Sequence, residues 1–361
     1  MTQAADIQMS LNEVLIASSD DSCNRNVDSL HVDELDAKSI VRKFTDNKIS
    51  LERFLSWNAR QGRQTPASGL IDQAQKDRMF RQAWIKKLEL VSELFTKARV
   101  EHVFIKLMRY PWTLMQDLDV LALDSAEQLK GIKALDRADF SFVQFRLLAH
   151  PLKVAALRRA DKAEPRILVD FYPGPMWIRK LVCDSVLIFA RKRLCRMSDV
   201  SVFVPSCEDD LYLVATHGYN HLRFTLADLL HGIDLISGAN GFDWRYLFNV
   251  AETYGTADAV YLYLRLLEEY SKAFRGQSFM NEDNLEVYEK TRICRTISSW
   301  LKKECSGQTE FPVRIPSRIG CVFSSFYHCS RILGRARASD LIYDFSSHYL
   351  ALCSRAILGE T

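Results

Sequence analysis

The chain has 361 residues, 48% of them apolar and 26% charged, the balance of an ordinary globular protein rather than a disordered one. Its length suggests two folded units more readily than one. The formal charge of +3 is unevenly spread: residues 1–37 hold eight acids against Arg25 alone, a net of −7, which leaves +10 on the remainder. A basic body of this kind is compatible with a phosphate-bearing ligand or nucleic acid, without requiring one.

No apolar run approaches the roughly 20 residues that span a bilayer. The opening MTQAADIQMSLNEVL has neither the basic nor the apolar region of a secretory leader. The nine cysteines are scattered, odd in number and free of any C-x-x-C pair, so they read as reduced thiols rather than a disulfide framework or zinc ribbon. A cytoplasmic protein with no membrane partner is expected.

In chain order, residues 1–37 are polar, acidic and free of aromatics, and are expected to form a mobile tail. Residues 38–80 form a helical lead-in marked by Ile40, Phe44, Leu51, Phe54, Leu55 and Trp57. A helix is expected over 75–98, with Trp84, Leu88, Val91 and Phe95 near one face. Residues 81–205 then change texture. Segments 102–106 (HVFIK), 117–123 (DLDVLAL), 140–147 and 166–172 (RILVDFY) read as strands by their apolar and β-branched content, and 125–138 reads as a helix. This alternation implies an α/β (α+β) unit with a small sheet packed by helices. Residues 206–275 form a helical domain, opened by the S-x-x-D signal of Ser206 and Asp209, with helices near 208–221, 226–237, 244–254 and 257–274. Residues 276–361 form a helical extension with helices near 284–303 and 340–358, a loop over 306–316 and a basic segment.

Chemistry concentrates in three acids. On a strand, residues i and i+2 share a face, so Asp117 and Asp119 project together. Two adjacent carboxylates repel unless a cation lies between them, and Mg²⁺ or Mn²⁺, which take oxygen ligands, suit that position. Asp170 interrupts the apolar strand RILVDFY, where a lone carboxylate is costly unless paired, hydrogen-bonded or metal-bound. If the two strands are neighbours, Asp170 completes a triad and is placed to act as a general base.

The order of helix, HVFIK strand, D-x-D strand, helix and later V-D strand resembles the nucleotidyltransferase superfamily typified by DNA polymerase beta. Within it, FIKLMRYPWTLMQDLDVLAL is similar to uncharacterised nucleotidyltransferase-like proteins common in archaea. The resemblance covers roughly residues 85–270. It implies a small mixed sheet with flanking helices followed by a mainly helical domain, and transfer of a nucleoside monophosphate from an NTP such as ATP to a hydroxyl on a small molecule, protein or RNA. It also implies that Asp117, Asp119 and Asp170 are the catalytic metal ligands, that Lys106 meets the triphosphate, and that Arg109 and Tyr110 contact phosphate or base. One departure stands out: the Gly-Ser pair that cradles phosphate in many superfamily members is replaced by Lys106-Leu107-Met108-Arg109-Tyr110-Pro111, with no glycine. That departure keeps open a non-catalytic nucleotide- or RNA-binding protein of the same fold.

His217 and His221 share a helix face by their i,i+4 spacing and invite a zinc reading with Asp228 or His231. Gly218, however, stands where a metalloprotease motif needs glutamate. The resemblance instead implies that His217, His221, Arg223 and Asp228 border the cleft, with Arg223 and Asp228 as a structural or substrate-orienting pair. Between Phe311 and Ser339 there is no acid, and arginines interleave with aromatics in a manner suited either to RNA or to a solvated surface.

Overall fold

The computed structural model describes residues 14–16, 18–19, 36–61, 67–107, 113–143, 153–159, 165–177, 180–221, 223–239, 241–276, 278 and 313–314. Helix α1 (Ala37–Asp46) begins where the Asp36 carboxylate accepts from the Ser39 amide, and α2 (Leu51–Arg60) where Ser50 accepts from Glu52. Helix α3 (Ser68–Lys97) starts earlier than expected, because its first turns pack against α2. There the buried Asp77 carboxylate accepts from the Leu51 amide at 2.8 Å. Trp84, Leu88, Val91 and Phe95 are buried on one side of α3, as the spacing implies.

Five strands form a mixed sheet: β1 (His102–Phe104), β2 (Asp117–Ala122), β3 (Phe140–Val143), β4 (Val154–Arg158) and β5 (Leu168–Tyr172), in the order β1-β2-β5-β4-β3. The β2–β5 pair is parallel and the other pairs are antiparallel. Helix α4 (Ser125–Arg137), capped by Asp124, follows β2 and packs on α3. The chain is thus a mixed α/β protein, and each of the four expected strands is present; those expected over 102–106, 117–123 and 166–172 are shorter than expected, and residues 144–147 of the other lie outside the described residues. Strand β4 was not expected, since VAALR carries a weak β-branched signal.

Beyond the sheet lie the two-residue strands β6 (Met176–Trp177) and β7 (Lys180–Leu181), helix α5 (Ser185–Ala190), and a hairpin of β8 (Arg193–Met197) and β9 (Val200–Val204). The hairpin was also unexpected: its outward residues include Leu194 and Phe203, so its alternation is hidden in the sequence. The helical half comprises α6 (Cys207–Asn220), β10 (Arg223–Phe224), α7 (Leu226–Ser237), α8 (Trp244–Thr253) and α9 (Ala257–Tyr270). A π-helical turn, Ser271–Arg275, closes on Gly276 in the left-handed conformation that glycine favours, with φ 66°. Strand β11 (Val313–Arg314) pairs with β10, within a segment expected to be a loop. The helices expected over 284–303 and 340–358, and the rest of the basic segment, lie outside the described residues.

Two apolar clusters divide the sheet's faces. Phe104, Leu118, Val120, Val169 and Phe171 pack with Trp84, Leu88, Val91 and Phe95 of α3. Val103, Ile105, Leu121 and Tyr172 face the other way, into the cluster built by the helical half. That second cluster also takes in Val14, Leu15 and Ile16, which are helical and at most 2% exposed. At these residues the expected mobile tail gives way to packed structure, because the short run VLI supplies an apolar face within an acidic surround. No helix among the described residues is long and apolar enough to cross a membrane.

Candidate metal centre

The alternation of β2 sends Leu118 and Val120 toward α3 and turns Asp117 and Asp119 toward the helical half. On β5, Val169 and Phe171 take the α3 face, which leaves Asp170 and Tyr172 on the opposite one. Parallel pairing sets Asp119 directly beside Asp170 and Asp117 beside Leu168. One carboxylate oxygen from each of Asp117, Asp119 and Asp170 lies within 4.8 Å of the others. The three acids separated in sequence are therefore brought together, and Asp117 is the most exposed of them. The opposing residue on β4 is Ala155, whose small side chain leaves room beside Asp170.

Two lysines flank the group. Lys106, just beyond β1, places its Nζ 2.7 Å from Asp119 Oδ2. Lys153, just before β4, pairs with Asp170 Oδ2 and lies over the Tyr172 ring. The Tyr172 hydroxyl donates to Asp119 Oδ1 at 3.0 Å. Asp170 Oδ1 is buried and has no hydrogen-bond partner among the described residues. On the other side of β2, the Trp84 indole N–H donates to the Asp117 carbonyl at 3.1 Å and ties the strand's start to α3.

These surroundings pull the acids apart electrostatically. Burial, then the neighbouring Asp119, push the Asp170 carboxyl up to about 6. Burial and Asp119 likewise raise Asp117, partly offset by Lys106, Lys48 and Lys153. Burial acts to raise Asp119 too, but Lys106 and Lys153 outweigh it and hold this carboxyl below the usual range. Lys106 is affected reciprocally: burial disfavours its charge, yet the three carboxylates keep its pKa above the ordinary value.

The backbone at Lys106 is unusual. Its φ of 56° lies in the left-handed region that costs a non-glycine residue about 1 kcal/mol or more. The Lys106 amide donates to Asp210 Oδ1 at 3.2 Å, and Asp210 Oδ2 is 3.1 Å from Nε2 of the fully buried His231. The turn after β1 thus adopts a glycine-like conformation without glycine, held from the first turn of α6.

Arg109 and Tyr110 lie outside the described residues. The His217 and His221 rings sit 4.4 Å apart on α6, but among the described residues no third ligand joins them into a metal group. Gly218 has a packing explanation, since a Cβ there would fall 2.1 Å from the Phe224 ring. Arg223 and Asp228 do not form the expected pair. Arg223 donates to the Asp46 carbonyl at 2.5 Å, while the Asp228 carboxylate accepts from Thr225 as the capping box of α7. A capping role consumes the acid locally, which spacing alone does not reveal.

Three residues the sequence reading passed over belong to the site. Tyr172 stands two positions after Asp170, so the same period-2 rule that pairs Asp117 with Asp119 points to it. Lys153 is hidden with the unrecognised β4, and nothing in the Ser206–Asp209 start signal sets Asp210 apart.

The donor set is made of carboxylate oxygens, which suits a hard divalent cation such as Mg²⁺ or Mn²⁺. The buried Asp170 Oδ1 fits that use, being an acceptor with no donor among the described residues. No protein-family model matches the chain, and no curated protein matches it. Fold and site define a mixed α/β protein with a carboxylate triad on the sheet face that looks toward its helical half.

Proposed function

We propose that this protein is a nucleotidyltransferase, which transfers a nucleoside monophosphate from an NTP to a hydroxyl acceptor. The observation that carries the reading is the in-register pairing of Asp119 with Asp170 on parallel strands, with Asp117 two residues earlier on the same face. The sequence order of strands and acids resembles that of the superfamily, and a mixed sheet is compatible with it. Mg²⁺ held by Asp117, Asp119 and Asp170 would supply charge neutralisation at the transferring phosphoryl group and alignment of the attacking hydroxyl.

The chain's own residues have separable tasks. Asp117 and Asp119 supply the paired oxygens, with the Tyr172 hydroxyl fixing the orientation of Asp119. Asp170 is placed to take the proton from the acceptor hydroxyl as it attacks, with its charge steadied by Lys153. Lys106 provides a cation beside the acids where the triphosphate would lie, in the role a glycine-rich loop takes elsewhere. Helix α6 borders the site through Asp210, which accepts from the Lys106 amide.

Thermal unfolding with each NTP, with and without Mg²⁺, tests the reading. A ligand that binds only the native state adds about 2.7 kcal/mol at a hundred times its dissociation constant. Mg²⁺-dependent stabilisation of the wild type is expected, and its loss in Asp117→Asn/Asp119→Asn. Folded wild-type protein that no NTP stabilises would remove the enzyme reading and turn attention to a binding role.

A further inference from the structure

Across the sheet, the charged groups occur in a fixed sequence: Lys106 beside β1, Asp117 and Asp119 on β2, Asp170 on β5, Lys153 beside β4. Each lysine lies next to the end of a strand that neighbours the strand of the acid it neutralises. Both are secluded, with side chains 10% and 4% exposed, and each ammonium holds one carboxylate oxygen of the triad, Asp119 Oδ2 and Asp170 Oδ2, while Asp170 Oδ1 stays open. Asp119 has both oxygens engaged, one by Lys106 and one by Tyr172. Of the three acids, Asp119 and Asp170 each pair with a lysine, and Asp117 has no such pair among the described residues. The protein side of the site is therefore already close to electrically complete, three carboxylates against two ammonium groups.

Resting on the nucleotidyltransferase reading, we propose that Lys106 and Lys153 are exchangeable internal counter-ions of the triad. Loading swaps their partners: Lys106 yields Asp119 Oδ2 to the divalent cation, Lys153 is repelled from Asp170 as the cation takes the open Oδ1, and both ammonium groups take oxygens of the nucleotide's polyphosphate. Three physical points lead there. A divalent cation cannot share Asp119 Oδ2 with an ammonium 2.7 Å away without like-charge repulsion. A displaced lysine at this depth would be a buried unpaired cation, which is strongly unfavourable until an anion arrives. The lysine stem is flexible and its ammonium is a point charge that accepts carboxylate or phosphate alike, so the exchange needs no backbone movement. Cation and polyphosphate consequently bind cooperatively. Each removes the obstacle to the other, and the coupling is reciprocal.

The full chain can be tested with Mn²⁺ and inorganic tripolyphosphate as probes. Mn²⁺ affinity is read by electron paramagnetic resonance, corrected for chelation in solution. Wild type should bind Mn²⁺ about tenfold or more tightly with tripolyphosphate present than without it, within the usual span of such couplings. Lys153→Met and Lys106→Met should each bind Mn²⁺ alone more tightly than wild type and tripolyphosphate more weakly, so that the coupling shrinks toward one. Unchanged or weaker Mn²⁺ binding in both folded variants overturns the exchange. Removing a lysine strands a buried acid and can prevent folding, so a wild-type readout runs in parallel. Reductive methylation of Lys106 and Lys153, followed by mass spectrometry, should rise on saturation with Mn²⁺ and fall again when tripolyphosphate joins it. Methylation that ignores bound Mn²⁺ overturns the proposal. Asp117→Asn separates the two layers: Mn²⁺ affinity unaffected by it sinks the site and the exchange together, whereas lost Mn²⁺ affinity with inert lysines sinks the exchange alone.

Discussion

His102 is buried at the start of β1, edge-on to Phe95 and Phe104 with ring centroids 5.1 and 5.3 Å away. Its Nδ1 lies 2.8 Å from the Val100 carbonyl. Burial holds its pKa below the ordinary 6.5. The unfolded chain therefore takes up a proton near 6.5 that the folded chain refuses, so the contribution is complete above that pH and declines as pH falls toward the folded value. The decline approaches at most about 1.4 kcal/mol per pH unit for one group. Urea titrations at stepped pH from about 7.5 to 5.5 should show a shallower loss in His102→Phe, which cannot titrate but keeps the aromatic packing. Equal slopes in the two proteins would rule out His102 as the source. Lys106 illustrates a different kind of residue, one whose backbone is held in a left-handed turn for the sake of where its ammonium lands.

At the scale of elements, Asp210 joins the first turn of α6 to the turn after β1, and so carries the helical half's grip on the triad. Asp210→Ala leaves the Lys106 amide and His231 Nε2 buried without that partner, a loss of about 1–3 kcal/mol for such orphaned groups. Asp210→Asn keeps an acceptor for the amide and should cost clearly less. Chemical denaturation of the two variants decides this, and equal losses would mean the contact to the Lys106 amide is immaterial. Elements were legible in the sequence where pattern and chemistry agreed. D-x-D with its apolar exit marked β2, RILVDFY marked β5, and Ser206 with Asp209 marked the start of α6. The elements that stayed hidden lack that agreement. β4 is alanine-rich, and the β8–β9 hairpin turns Leu194 and Phe203 outward. The triad was legible because a carboxylate in an apolar strand needs an explanation. Its lysines were legible only in part, since a surface-looking Lys153 gains meaning only once β4 is paired with β5.

For the whole molecule, the larger apolar cluster draws on segments far apart in the chain, from Leu15 through α1, α2 and the helical half. Leu15 is fully buried there despite its acidic neighbourhood. Leu15→Ala should lower stability by about 2–5 kcal/mol, the range for a buried leucine truncation, as measured by calorimetry. A change within about 0.5 kcal/mol, typical of a surface position, would show that this stretch does not belong to the core. The pairing of Asp119 with Asp170 has a consequence for how the molecule assembles. The two strands meet only after α4, β3 and β4 have intervened, so their alignment is a long-range event and correspondingly slow. A slip by one residue would turn Asp170 onto the face where Phe95 packs 4.9 Å from Phe171, leaving a charge stranded in an apolar layer. The acids thus act as proofreaders of folding: a misaligned sheet is rejected by solvation long before any ligand is encountered.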